Sequence, residues 1–452
     1  MKNYKRLLNA SVRHVALLAT LLCVVIPLTT SAAQKEPYSV PDTYTPVSEW
    51  KQGFDAEAAR AFRTKYQAHD YVLGNDNSAF AWLNIQEVIT TSPLMRAGKV
   101  SQFVQSPNSA IADTVATTKL GTLPLKMAMA DSRSRIQAIA VIHKGKLVFE
   151  RYPGMPETQT HVWNSAAKTM TGLMVHMLQA QGKIDLEARL QDYLTQFKGT
   201  PVGRITISNL LHHRSGLDII ETQPNMEDPN HPLGRAMASG VSPRGVKPGE
   251  SLMDVLRDIK PLRDDQGLVF DYSSLNTQIL GLIIENLTGK SWNRVASEMI
   301  WSKIGAENDG IIGLSAAGDA LNGGVVASTL RDFARFATIF TPSWSAVARE
   351  PFVDETYFQQ VFAAADLKAF KAGGQGQRMT SDFGADSNLV GSSYKWDALF
   401  SDRDMYKAGL GGQGIYVSPE TDTAVVWFST TYRNSLSMAP YARAIVLQHY
   451  RD

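Results

Sequence analysis

Ser165 and Lys168 stand three residues apart in the run Val162-Trp163-Asn164-Ser165-Ala166-Ala167-Lys168-Thr169-Met170. On a helix that spacing puts a hydroxyl and an amine about 60° apart, on adjacent turns of one face and within reach of each other. A serine hydroxyl is a poor nucleophile until a neighbouring base takes its proton. A lysine can be that base only if its pKa falls from about 10.4 toward neutrality, and burial and positive potential both push it down. With Asn164 as the N-cap, the pair would occupy the first helical turn, at the positive end of the helix dipole.

Two other places carry matching chemistry. Tyr272 stands where a loop enters a helix, a position from which a phenol can share a proton with a nearby lysine. The alternative is a core ring with its hydroxyl satisfied. The segment Lys407-Ala408-Gly409-Leu410-Gly411-Gly412-Gln413-Gly414 enters the apolar run Ile415-Tyr416-Val417. Glycines at a strand edge let a substrate approach the backbone, and a free N–H there can face a developing oxyanion. The similar stretch Lys371-Ala372-Gly373-Gly374-Gln375 has no strand pattern after it.

Ser-x-x-Lys is a common pattern, and the chain holds it three times, at Ser48–Lys51, Ser165–Lys168 and Ser392–Lys395. Context separates them. Behind Lys168, Met170, Leu173, Met174, Met177 and Leu178 recur at the spacing of a core-facing helix, away from the Ser/Lys strip, where Gly172 leaves space. Ser48 lies in a Pro- and Thr-rich lead-in and Ser392 in a Gly/Ser-rich stretch. The elements that must hold these groups are legible around them. Gln137 to Tyr152 reads as a hairpin about Lys144-Gly145, with Ile139, Val141, Leu147 and Phe149 alternating. A helix opens after Phe270-Asp271-Tyr272-Ser273-Ser274 and stops at Gly289, and a capped helix follows Ser328-Thr329. Two strands, 414–417 and 423–429, and a helix from about Ser437 close the chain. Residues 221–268, rich in Pro, Gly and charge, read as a long surface excursion of the kind that forms lids or pocket walls. The pair His212-His213 invites a metal reading, but no ligand partner sits at helical spacing nearby, which favours a loop-positioning role.

The length of 452 residues suggests a large domain or two, and 44% hydrophobic residues supply a sizeable core. A net charge of +2 without a Lys/Arg-rich run argues against a nucleic-acid partner. Lys2, Lys5, Arg6 and Arg13 precede the apolar run from Val15 to Leu28 and then Thr-Thr-Ser-Ala-Ala, the order of a secretory signal over residues 1–33. An uncleaved anchor is the alternative, disfavoured by Pro27 and a short apolar run. The single cysteine, Cys23, lies in that segment, so the mature chain would carry no thiol. A periplasmic or secreted protein without stable membrane association is expected. Residues 34–130 carry no chemical motif and are expected to form an N-terminal arm or subdomain on a main domain at 131–452.

Taken in order, these pieces resemble the serine β-lactamase and penicillin-binding protein superfamily. Its class C-like branch, with family-VIII-like esterases and nylon-oligomer (6-aminohexanoate-dimer) hydrolases, is the nearest in pattern. The hairpin at 139–152 comes first, then Ser165-x-x-Lys168. Leu210-Leu-His-His-Arg-Ser-Gly-Leu217 resembles the family's Leu-Leu-x-His-x-Ser-Gly-Leu, Tyr272-Ser-Ser274 its Tyr-x-Asn, and Lys407-Ala-Gly409 its Lys-Thr-Gly. The resemblance implies an α/β (α+β) fold, with an antiparallel sheet flanked by helices beside a mainly helical subdomain. It implies catalysis by Ser165, Lys168 and Tyr272 through a covalent serine ester, with the backbone N–H groups of Ser165 and Leu410 as the oxyanion hole. Substrate contacts would fall to Ser274, Lys407, Gly409, Gly411 and Gln413, and neither metal nor organic cofactor is implied. Two departures stand out: Ser274 replaces an Asn, and Ala408 removes the hydroxyl that family β-lactamases use on a substrate carboxylate. The first shortens a polar arm and removes an amide donor; the second favours another small-molecule amide or ester as substrate. A β-lactamase or DD-peptidase is the alternative, and a non-catalytic penicillin-recognising or scaffold protein a further one.

Overall fold

The computed structural model describes residues 38–451, apart from 247–249 and 264; the segment read as a secretory signal lies outside the described residues. Tyr38 to the C-terminus packs as one compact unit. Its centre is an eight-stranded sheet in the order Leu389–Ser393, Trp396–Phe400, Met405–Ala408, Gly414–Ser418, Thr423–Ser429, Ile136–His143, Lys146–Arg151 and Val104–Gln105. Every neighbouring pair is antiparallel except the last, where Val104–Gln105 runs parallel to Lys146–Arg151. The hairpin at 137–152 and the strands at 414–429 fall in this sheet, joined where Val141 faces Val425.

Both faces of the central strands are covered, so these strands are buried along their length and mostly apolar instead of alternating with exposed polar residues. Ala138, Ala140, Val426 and Phe428 belong to the core shared with the helix Leu330–Thr338 and the helical region. Ile139, Val141, Val425 and Trp427 belong to the core under the C-terminal helix Ala439–His449. The two-residue period of a strand divides one chain between two cores.

A second, four-stranded antiparallel sheet, ordered Thr91–Leu94, Gly310–Gly313, Val326–Ser328, His161–Val162, delivers the chain to the Ser165 helix. Residues 38–130 are woven into both sheets through Thr91–Leu94 and Val104–Gln105. The helical region includes Lys168–Ala180, Ser274–Thr288 and Trp292–Met299. The expected apolar stripe of Lys168–Ala180 is buried, but so is almost every other side of that helix, from Lys168 to His176. Gly172 does not leave empty space: a Cβ there would meet the Tyr394 carbonyl oxygen at 2.6 Å and Lys395 Cγ at 3.3 Å. Among the described residues no helix is long and apolar enough to cross a membrane.

Candidate active site

The residue before the nucleophile candidate is fixed by tertiary contacts rather than by helix capping. Trp163 N–H donates to Val326 O at 2.7 Å, and the buried indole stacks on Phe333. The chain then turns through Asn164, which takes the left-handed φ of +48° that asparagine tolerates better than most residues. Asn164 is therefore not an N-cap: its side chain accepts from Tyr71 Oη at 2.7 Å and donates to Leu410 O at 2.7 Å. Residues Asn164–Ala167 form a 3₁₀ turn, and the α-helix begins only at Lys168. A tighter turn still serves the geometry, because at three residues per turn the i and i+3 side chains eclipse.

Ser165 and Lys168 meet as the spacing predicts, with Nζ 2.7 Å from Oγ. Lys168 Nζ also reaches Ser274 Oγ at 2.9 Å and the Gly323 carbonyl, and it lies 5.1 Å from the centroid of the Tyr272 ring. The side chain is wholly buried and none of its hydrogen-bond partners is a carboxylate. Burial lowers its pKa from 10.5 to about 7; Glu221 opposes the fall and Lys407 adds to it. Such an amine is divided between base and acid near neutral pH. Burial pushes the Tyr272 phenol well above its usual value, helped by Asp397 and Glu221 and opposed by the Ser165 hydroxyl. Tyr272 is thus a neutral phenol in the resting site.

On the strand side, Lys407 Nζ donates to Tyr272 Oη at 3.1 Å and lies 2.5 Å from Asp397 Oδ1. The other oxygen of Asp397 accepts from Ala408 N–H at 3.1 Å. Lys407 is wholly buried, and burial lowers its pKa although Asp397 holds it up.

A cavity of about 100 Å³ opens at Ser165, bounded by Asn164, Ser274 and Leu410. Of the five expected substrate contacts only Ser274 lines it; Lys407, Gly409, Gly411 and Gln413 do not. The glycines answer to the protein itself. A Cβ on Gly409 would meet the Trp163 carbonyl oxygen at 2.5 Å, and one on Gly411, at φ +79°, would strike the Trp82 ring at 2.1 Å. Gln413 is fully buried, its backbone oxygen accepting from Gly409 N–H at 2.8 Å. These residues press the loop at 409–413 against the Ser165 turn. The N–H groups of Ser165 and Leu410 donate to no protein acceptor among the described residues.

The excursion does build cavity wall, through its helices Gln223–Glu227, Pro232–Gly240 and Leu252–Arg257. Its first residue, Glu221, went unnoticed in the sequence. Glu221 N–H donates to the Tyr272 carbonyl at 3.0 Å, and its carboxylate accepts from Ser274 Oγ at 2.8 Å and Ser274 N–H at 2.9 Å. Ser274, the expected shortened polar arm, relays between Glu221 and Lys168. Asp397 also escaped notice, though one acid in the apolar strand Trp396–Phe400 was a signal of a buried partner.

The two motifs set aside in the sequence meet beneath Tyr272. Tyr394 and Lys395 form the two-residue turn of the hairpin Leu389–Ser393/Trp396–Phe400, both at positive φ. That is an unusual pair where Asn-Gly is the norm. Lys395 is buried and reaches Leu210 O at 2.6 Å and His213 Nε2 at 3.5 Å. The His213 ring lies 4.7 Å from Tyr272, and its Nδ1 accepts from Ser273 N–H at 3.3 Å. His213 therefore orients the Tyr272 turn, the loop-positioning role expected of it.

The Beta-lactamase family model matches residues 127–449. A 6-aminohexanoate-dimer hydrolase of Paenarthrobacter ureafaciens is 25% identical over 300 residues, 65% of this chain and 72% of its own. A Bacillus anthracis structure assigned as a 6-aminohexanoate-dimer hydrolase superposes with a TM-score of 0.68 at 20% identity, over 86% of this chain and all of its own. The hydrolase EstCE1, described as having promiscuous acyltransferase activity, aligns over 72% of this chain and 96% of its own, with a TM-score of 0.53 at 16% identity. At these identities the two structures speak for the fold alone.

Proposed function

Because the chain belongs to the β-lactamase family, whose model spans residues 127–449, we propose that it is an exported serine hydrolase cleaving an amide or ester through an acyl-enzyme on Ser165. The observation that carries this reading is the 2.7 Å approach of Lys168 Nζ to Ser165 Oγ, made by a buried amine whose pKa falls to about 7. Ser165 Oγ attacks the substrate carbonyl while Lys168 takes its proton. The N–H groups of Ser165 and Leu410 receive the oxyanion. As the bond to the leaving oxygen or nitrogen breaks, the Lys168–Tyr272 pair returns the proton to it. Water then attacks the acyl-enzyme by the same route in reverse, releasing the acid and restoring Ser165. Asn164 serves this step by tying Leu410 to the nucleophile's turn.

Native substrates resembling those of the 6-aminohexanoate-dimer hydrolases or esterases fit better than β-lactams. Ala408 offers no hydroxyl, and Lys407 is committed to Asp397 and Tyr272. Export rests on the signal pattern at residues 1–33. The test is covalent labelling by a fluorophosphonate together with turnover of p-nitrophenyl esters. Both should be lost in Ser165→Ala, and esterase activity retained at the wild-type level in that variant would refute the nucleophile. Nitrocefin turnover faster than ester turnover would promote the β-lactamase reading instead.

A further inference from the structure

The cavity at Ser165 is built to stay dry. Its walls are Met226, Leu233, Met237, Val241, Leu321 and Val325, from the excursion and from the loop before Val326–Ser328. The polar side chains that border it are already spent on the protein. Gln278 Oε1 accepts from Gly323 N–H at 2.8 Å, and its Nε2 donates to Ala320 O at 3.1 Å. Ser239 Oγ donates to Glu250 O at 2.6 Å, and Ser315 Oγ to Asp319 Oδ2 at 2.9 Å. Asn164 is held between Tyr71 and Leu410.

The charge is one-sided. Glu221 and Asp319 border the cavity, whereas among the described residues no lysine, arginine or histidine does. Lys168 and Lys407, the nearest cations to the reaction centre, lie behind its wall. An anionic group entering here would lose its hydration, meet two carboxylates and find no cation to pair with. An aliphatic chain would lose nothing polar and gain apolar contact.

Resting on the hydrolase reading, we propose that this cavity is an acyl-group site for a linear aliphatic chain of a few carbons that carries no anionic group, attached to the carbonyl that Ser165 attacks. The excursion is then the specificity element of the enzyme, with Met226 and Met237 as unbranched, adaptable walls. Ordering Glu221 onto the Tyr272 backbone couples the placement of that wall to the catalytic turn.

The test is the ratio of kcat/KM across p-nitrophenyl acetate, butanoate and hexanoate, against the anionic succinate half-ester. Burying a methylene at about 0.8 kcal/mol corresponds to about a fourfold gain per added carbon until the cavity is full. Butanoate should thus exceed acetate by roughly fifteenfold, and the succinyl ester should fall below its neutral isostere. Met237→Trp, which fills the cavity, should bring the hexanoate-to-acetate ratio to near one. A flat chain-length profile, or the anionic ester turned over as well as its neutral isostere, overturns the proposal while Ser165-dependent hydrolysis survives. Absence of Ser165-dependent turnover of every ester overturns the hydrolase reading and the acyl site with it. The wild-type series decides the matter even if the tryptophan variant fails to fold.

Discussion

Lys168 and Lys407 both face Tyr272 at close range, both wholly buried and both within 5.1 Å of its ring centroid. Burial opposes the charged form of each, but their partners differ. Lys407 has Asp397 at 2.5 Å, a paired charge that offsets desolvation and fixes the ammonium. Lys168 has two hydroxyls and a carbonyl, which can hydrogen-bond either protonation state but neutralise none. One lysine is a stationary cation donating to a phenol; the other can exchange a proton near neutrality. The lesson is that residue type sets the chemistry available, and the presence or absence of a carboxylate decides which part of it is used.

Lys168→Arg should break this contrast most severely. The charge is kept, but a guanidinium cannot surrender its proton, so turnover should drop by roughly two to four orders of magnitude. Ester hydrolysis rates measure it, and a variant keeping most of its turnover would make Lys168 an electrostatic fixture like Lys407. On the other side, Asp397→Asn leaves Lys407 buried without its counter-charge. Denaturant unfolding should show a loss of about 3–5 kcal/mol, the usual cost of removing one partner from a buried pair. Unchanged stability would mean that Lys407 does not depend on its pair.

The smallest effect is on pH. In the wild-type protein the amine of Lys168 must be unprotonated to act, so kcat/KM should rise with pH through about 7 and level off above it. Glu221 holds that pKa up, so Glu221→Gln should move the rising limb toward lower pH. A limb that stays in place or moves to higher pH would show that the Glu221 charge does not reach Lys168. The apparent value belongs to the coupled Lys168–Tyr272 system rather than to one residue.

Much of this molecule follows from local pattern. The spacing of Ser165 and Lys168, the apolar run behind them and the alternation at 139–149 specify a reactive pair, a helix and a hairpin, because each depends on neighbours a few residues apart. What the pattern could not give is which groups converge from a distance. Asn164 reads as a cap until Tyr71 and Leu410, 93 and 246 residues away in sequence, claim its side chain. The glycines at 409 and 411 read as a substrate approach until Trp163 and Trp82 occupy the space. Lys395 reads as part of a Gly/Ser-rich stretch without chemistry until a two-residue turn buries it beside His213. The sequence alone determined the pairing of Ser165 with Lys168 and the elements that carry them. Tertiary structure alone decided which lysine is neutralised, which glycines make room for protein and which wall borders the cavity at Ser165, because burial and charge pairing are set by long-range packing.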